Sequence, residues 1–426
     1  MTLQPVPIRR LAGALTVASA ALLAACGGGG GDTAGIGTGG TGSFGVGPVT
    51  GFGSIFVNGV RYDDDGARLV DDDGKVTVLG SGDNPLKVGM IVEVSGSVDD
   101  SGMRKATQIA YGAEIKGPVT AVDAAAGSFT VFGITVRTTT TTVYEDFGGV
   151  AGLAPGNVVE VHGQPDASGR VVATHVEREA ATEAAYIADD GEYRVRGPVA
   201  GLIASSSAYT FSVRGVAIRT NGMTVVEGTP ANGATVSVKL DPVVQSDGRY
   251  LAERLTVREA SYAGLPSASE AEIEGYVSDF DATTGGLRVA GYAAQLGSSV
   301  VYEDGVAADL KDGVRVEANG SIEDGVLVVT KVEFESRDDD DDGEDDEVPG
   351  GQMNFEFEGI AACSSCGATS GSFSVKGVSV SYDASTRFED GLSGATLDGK
   401  TVEVDCVAVV TDSGTTYRAT RIELDD

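Results

Sequence analysis

Four cysteines, two histidines and one run of acids are the groups in this chain whose types and spacing could do chemistry. Cys363-Ser-Ser-Cys366 is a C-x-x-C pair, the spacing of thiol–disulfide exchange centres, but no thioredoxin-like helix pattern follows it. A structural bridge is the better account. Three thiols cannot all pair, and Cys406, on one strand face with Val402 and Val404, is favoured as the partner of Cys366 over the local Cys363–Cys366 pair. A zinc site there would need a fourth ligand, and no histidine lies nearby. Further upstream, Asp338-x-Asp340-x-Asp342-Gly343-x-x-Asp346 has the carboxylate spacing of a calcium loop, alternate oxygens converging on a hard cation around a glycine turn. The twelfth position of a full loop would be Pro349 instead of Glu, and the competing reading of the run is a solvated, self-repelling spacer. Calcium at Asp338, Asp340, Asp342 and Asp346 is the one cofactor the spacing allows. His162 and His175 fall on two strands joined by a hairpin, with Glu160 and Glu177 close by in sequence. They could form a surface metal site, but their outward or edge positions favour two solvated side chains.

The elements that must position these groups come from a repeat. The segments Ile55-x-Val57-x-Gly59, Phe129-x-Val131-x-Gly133, Phe211-x-Val213-x-Gly215, Leu287-x-Val289-x-Gly291 and Phe373-x-Val375-x-Gly377 alternate as half-buried strands, with the glycine expected at a bend or bulge. Each is followed by a Leu-x-x-Gly-x-x-Val-Glu-Val segment or a variant of it. Copies begin at Leu86, Leu153 and Leu310, with shorter forms at Gly233 and Gly399. A Ser-Gly or Asp-Gly turn and a closing strand complete the unit. Five units result, at 45–112, 113–180, 192–260, 270–336 and 353–426, with an acidic linker at 337–352. Each has about the lower size at which a domain folds alone. Five short strands avoid exposed edges most economically as a small curved barrel. The fold class expected is all-β: about five tandem barrels that resemble the oligonucleotide/oligosaccharide-binding (OB) type, the stretch before each Leu-x-x-Gly replacing that fold's helix. An open sandwich or meander of the same strands is the alternative.

At the N-terminus, Arg9-Arg10 precedes an apolar stretch from Leu11 to Leu23, too short to span a membrane and the right length for a secretory signal. It ends in Leu23-Ala24-Ala25-Cys26, which resembles a bacterial lipobox and implies cleavage after residue 25 with lipid carried on Cys26. Gly27 in place of Asp resembles lipoproteins sorted to the outer membrane. Residues 26–44 are nearly all Gly, Thr and Ser, a flexible linker with a reach of about 20–25 Å. Further linkers are expected at Ala180 to Gly191 and Ala260 to Ser269, so that the whole reads as beads on a short string. With Gly53-Ser-Ile-Phe-Val-Asn-Gly-Val60, Leu86-Lys-Val-Gly89 and Ala106-Thr-x-Ile109, the chain resembles bacterial envelope lipoproteins built from tandem domains of unknown function. That resemblance implies location and architecture, and brings no catalytic residues.

Composition narrows the function. With 30 basic against 63 acidic residues and a net charge of −33, the chain cannot neutralise phosphates, which excludes nucleic acid. The absence of Trp weakens a stacking platform for bases or sugars. No nucleophile, histidine or ligand cluster recurs in every copy, and the repeated Glu93, Glu160, Glu317 and Glu403 lie between core valines, hence on the outer face. The expected protein is no enzyme. It is an envelope lipoprotein, facing periplasm or cell surface, whose barrels serve as spacer, scaffold or binding surface for an envelope protein or glycan. The competing expectation is a hydrolase or ligand-processing enzyme with a site between barrels. A cleft at an inter-barrel junction holding facing carboxylates would favour it, and an extended arrangement would not.

Overall fold

In all five units the apolar-x-Val-x-Gly segment runs into a two-residue hairpin turn in the computed structural model, which describes residues 42–80, 84–205, 208–335 and 354–425. Both turn residues take positive φ, 54° and 79° at Asn58 and Gly59 and 55° and 83° at Phe132 and Gly133, as a type I′ turn demands. The bend expected at this glycine is thus a tight hairpin and not a bulge. Bulges occur elsewhere, among them in the opening strands of units one to four, where register slips between Val49 and Gly51, Val119 and Ala121, Ala200 and Ile203, and Ser278 and Asp281. There the strand leaves one neighbour for another, which curls the sheet on itself.

The second unit shows the closure. Its opening strand Ile115–Asp123 pairs antiparallel first with Val158–Pro165 and then with Ser128–Val131. Ser128–Val131 pairs with Ile134–Arg137, which runs parallel to the last strand, Val171–Ala180. That strand pairs with Val158–Pro165 and completes a ring of order 1-2-3-5-4-1. In units two, four and five the place of a helix before the fourth strand is taken by a single 3₁₀ turn, at Val150–Gly152, Ala307–Asp309 and Gly394–Thr396. The repeated valines fill the barrels: Val57, Val131, Val213, Val289 and Val375 are all at most 1% exposed. So are Val92, Val94, Val159, Val161, Val402 and Val404 on the fourth strands. Each such side chain stabilises its barrel by about 1.5–3 kcal/mol.

The units do not hang as beads on a string. The first unit's opening strand Ser43–Phe52 runs parallel to the fourth unit's, Ser43 to Val46 matching Glu270 to Ile273, and then to the fifth unit's, Gly51 and Phe52 matching Glu356 and Phe357. Arg194 and Val195 of the third unit pair antiparallel with Lys116 and Ile115 of the second. Both expected linkers are structured parts of this packing. Within Ala180 to Gly191, Glu183–Ala188 forms an α-helix whose N-terminus is capped by the Thr182 hydroxyl, accepting from the Ala185 N–H at 3.2 Å. Its Tyr186 is buried and stacks on Tyr193 with ring centres 5.9 Å apart. One cap and one buried ring hold a turn that lacks an apolar stripe. Within Ala260 to Ser269, Tyr262 is 5% exposed and packs edge-on against Phe44 of the first unit.

The disulfide joins Cys363 to Cys366, and Cys406 is free. This corrects the favoured Cys366–Cys406 pairing. A bulge between Cys363 and Ser365 folds the strand Ala362–Cys366 so that the two Cα atoms lie 5.6 Å apart, within bridging distance. Cys406 points into the barrel instead, fully buried, and burial pushes its thiol pKa up. The native protein is therefore expected to show no thiol reactive toward Ellman's reagent from residue 42 onward. Unfolding without reductant should release one. Two reactive thiols in the native state would contradict this placement. The lipobox cysteine Cys26 and the calcium-loop positions Asp338, Asp340, Asp342 and Asp346 lie outside the described residues.

Candidate functional site

Units one, two and five meet around an open cleft of about 770 Å³. The first unit contributes Asp63, Asp64, Asp65 and Lys87, the second Tyr144, Glu145 and His175, and the fifth Lys376, Ser379 and Tyr417. Three contacts frame it. Lys87 Nζ donates to Glu145 Oε1 at 2.9 Å between units one and two, the Tyr144 N–H donates to Thr415 Oγ1 at 2.8 Å between two and five, and Arg61 donates to the buried Glu358 at 2.6 Å between one and five. Lys376 is the first residue of its hairpin turn, the position that differs in every unit.

One wall of the cleft belongs to a charged row on the outer face of the second barrel. Strand register places Glu145 beside Glu177, Glu177 beside Glu160, and Glu160 beside Lys116. Lys116 in turn lies beside Arg194 of the third unit. Two residues along on the same face, His175 stands beside His162. The outward position read for the repeated Glu160 holds, but the face is covered by neighbouring units. Burial pushes the Glu160 carboxyl up, yet the His162 bond at 2.9 Å and Lys116 outweigh it and hold the pKa well below the carboxylate range. Burial pushes Glu177 up to about 7, with Glu145, Glu179 and Glu160 adding to the effect. Its nearest carboxylates are not matched by enough cations. A second acidic group, Glu356, Glu403 and Asp405, is answered by Arg421, which reaches Glu403 at 3.2 Å and Asp405 at 2.6 Å.

The two histidines are not solvated. Both side chains are 1% exposed, their rings meet at 5.9 Å, and the first unit lies over His175 through Val88 and Gly89. His175 Nδ1 lies 2.8 Å from the Val88 carbonyl oxygen, which can only accept, so Nδ1 carries the proton. Burial, and then neighbouring His162, push the His175 pKa down to about 4, which leaves the ring neutral at pH 7 and Nε2 a bare lone pair. That nitrogen has no hydrogen-bond partner and faces Glu145 Oε2 at 3.6 Å. Alternation along the strand gives the face of each histidine. It says nothing of what another barrel lays over that face. The two rings stand side by side only because a bulge between His162 and Gly163 shifts the hairpin register by one residue, which the spacing alone did not show.

Elsewhere the first–fourth seam stores acid. Glu272, 9% exposed beside the first unit's opening strand, is pushed up to about 8 by burial and then by Glu317. Its folded pKa exceeds the ordinary 4.5, so its protonated form stabilises the fold below about pH 4.5, and that stability is lost as pH rises through about 8. Melting temperature is expected to fall from pH 5.5 to pH 8.5. Glu272→Gln should flatten the slope, each unit of raised pKa being worth about 1.4 kcal/mol. An unchanged slope in this variant would remove Glu272 from the account.

The sequence profile of the domain of unknown function DUF5666 matches this chain at residues 46–110, 116–177, 196–256, 274–333 and 364–423. No curated protein matches. Among solved structures, drosophila Unr CSD456 is 13% identical, with 54% of this chain and 96% of that one covered at a TM-score of 0.14. A multidomain protein with nucleic acid binding domains from Streptococcus pneumoniae is 12% identical, with 55% and 73% covered at a TM-score of 0.13. Nothing about binding passes from either to this chain. Among the described residues no helix is long and apolar enough to cross a membrane.

Proposed function

We propose, for a chain that belongs to the DUF5666 family and carries five copies of its domain in tandem, a non-catalytic binding role in the bacterial cell envelope. Cys26 carries the lipid, the glycine-rich segment behind it gives reach from the membrane, and the barrels form the binding body. The observation that supports binding over spacing is the cleft, built from three units that the chain packs together instead of stringing out. Its occupant is an envelope component, protein or glycan, met by the carboxylates of Asp63 to Asp65 and by Lys376. Nucleic acid is disfavoured by the net charge of −33.

Two measurements test the two halves of this reading. Cys26→Ala is expected to move the protein from the membrane to the soluble fraction of an expressing bacterium. Retention in the membrane would remove the anchor. A photo-crosslinking residue at Ser379, inside the cleft, should capture one discrete envelope component from the anchored protein, while the same residue at exposed Met223 of the third unit should not. Equal labelling from both positions would remove the cleft as the binding site.

The second reading, an envelope hydrolase with its site between barrels, gains from the same cleft. Facing carboxylates and a neutral histidine at an inter-barrel junction are the arrangement it requires. Turnover of an envelope glycan or peptide that disappears in Glu177→Gln would establish it over simple binding.

A further inference from the structure

The buried lone pair of His175 carries an inference that the binding reading does not contain. A ring nitrogen of His175 and carboxylate oxygens of Glu145 and Glu177 all lie within 4.8 Å of one another, and His175 Nε2 itself stands 3.6 Å from Glu145 Oε2. His175 Nε2 has no proton to donate, because the imidazole proton is on Nδ1 and committed to the Val88 carbonyl, and the carboxylates when ionised only accept. With both carboxylates ionised, three acceptors converge with no proton among them, and one is a side chain 99% buried whose nitrogen has no partner. An unanswered buried acceptor of this kind costs about 1–3 kcal/mol. A cation at the centre of the three removes that cost.

We propose that Glu145, His175 and Glu177 hold one divalent transition-metal ion of the zinc class at the inner wall of the cleft. The donor set selects the metal. Calcium takes six to eight oxygens and magnesium an octahedron of oxygens, whereas an imidazole nitrogen with two carboxylates suits zinc and its neighbours. The separation fits as well. Bonds of about 2.0–2.1 Å in a tetrahedron set ligand atoms about 3.4 Å apart. His175 Nε2 and Glu145 Oε2 already stand at 3.6 Å, and half-buried Glu177 closes the rest by side-chain rotation. The Val88 carbonyl, drawn from another unit, acts as the outer partner that fixes the tautomer and aims the ring. Lys87 holds the other oxygen of Glu145, Oε1, and leaves Oε2 for the ion. Three protein ligands leave coordination positions open, and because Glu145 and His175 line the cleft, an ion between them is reached from it. The carbonyl that fixes the tautomer is in place only when units one and two are packed.

Calorimetry with zinc chloride on the full chelator-stripped chain tests this, with the cobalt(II) visible spectrum as a second readout. One equivalent is expected to bind with micromolar or tighter affinity, and cobalt should give d–d bands without thiolate charge transfer. The double variant Glu145→Gln, Glu177→Gln should bind at least 100-fold more weakly while keeping its circular dichroism and melting transition. Lys87→Gln should tighten zinc binding several-fold, since it removes a competing cation. The pair Glu403→Gln, Asp405→Asn should bind as the parent does. No heat at 100 µM zinc, or an equivalent that survives the first double variant, overturns the proposal. The cleft reading fails separately: it is read from the Ser379 cross-link, which the metal-free chain can still form.

Discussion

Replacing Gly51 by valine is expected to part the first and fifth units while leaving both barrels folded. Gly51 faces Glu356 where the two opening strands run parallel, and a Cβ there would lie 1.8 Å from the Glu356 carbonyl oxygen. Real Cβ atoms do not approach backbone that closely, and a carbonyl in a paired strand cannot rotate away. The seam must open, at a cost of about 3 kcal/mol, the upper end for over-packed positions. The valine core of each barrel is untouched, so far-ultraviolet circular dichroism should hardly change. Limited proteolysis should speed up in the segment joining units four and five, and the Ser379 cross-link should be lost. Gly222→Ala serves as control, because no atom lies within 4 Å of its added methyl and its φ is not positive. If Gly51→Val resists protease as the parent does, the first–fifth seam does not exist in solution.

Arg194→Met is expected to lower stability by about 3 kcal/mol and to loosen the first unit from the third. Arg194, with its side chain 9% exposed, reaches Asp73 at 3.0 Å and Asp72 at 3.7 Å in the first unit and Glu192 at 3.4 Å in its own. Breaking a buried pair by removing one partner costs about 3–5 kcal/mol, because the other charge stays buried and unanswered. The lower end applies here, since Arg258 also reaches Asp72, at 3.4 Å. Adding Asp72→Asn should restore part of the loss, giving a favourable coupling of about 1–3 kcal/mol in a double-mutant cycle. Additive losses would mean that the pair does not act across the seam.

Much of the barrel was legible because its causes are local. Val131 and Val161 recur at spacings that only one side of a strand can satisfy, and both are fully buried. The seams were not legible, because their residues are those the copies do not share. The hairpin-turn residue before the repeated glycine is Asn58, Phe132, Arg214, Ala290 or Lys376, and these make different contacts. Phe132 packs edge-on against Tyr193 and Tyr250 of the third unit, Arg214 pairs with Glu114 of the second, and Lys376 lines the cleft. Tyr292 likewise donates to the repeated Glu93 of the first unit, so that an outward glutamate became part of a buried seam. His175 was visible as a chemical group from the start. What it lacked was the Val88 carbonyl, 87 residues away in another barrel, to fix its tautomer. The three cysteines of the fifth unit, conspicuous in the sequence because no other unit has them, form a local bridge and a buried thiol.

Packing of the five units into one body is what brings Val88, Glu145, His175 and Lys376 to a common cleft, and small-angle X-ray scattering of the chain from Gly39 onward measures that packing directly. A single compact body of this length has a radius of gyration of about 21 Å. One unit alone has about 11 Å, and five set in line at their own diameters would give about 35 Å or more. The packed arrangement predicts a value within a few ångströms of the first figure, independent of salt, and Gly51→Val should raise it. A parent value above about 30 Å would return the units to a string and dissolve the cleft.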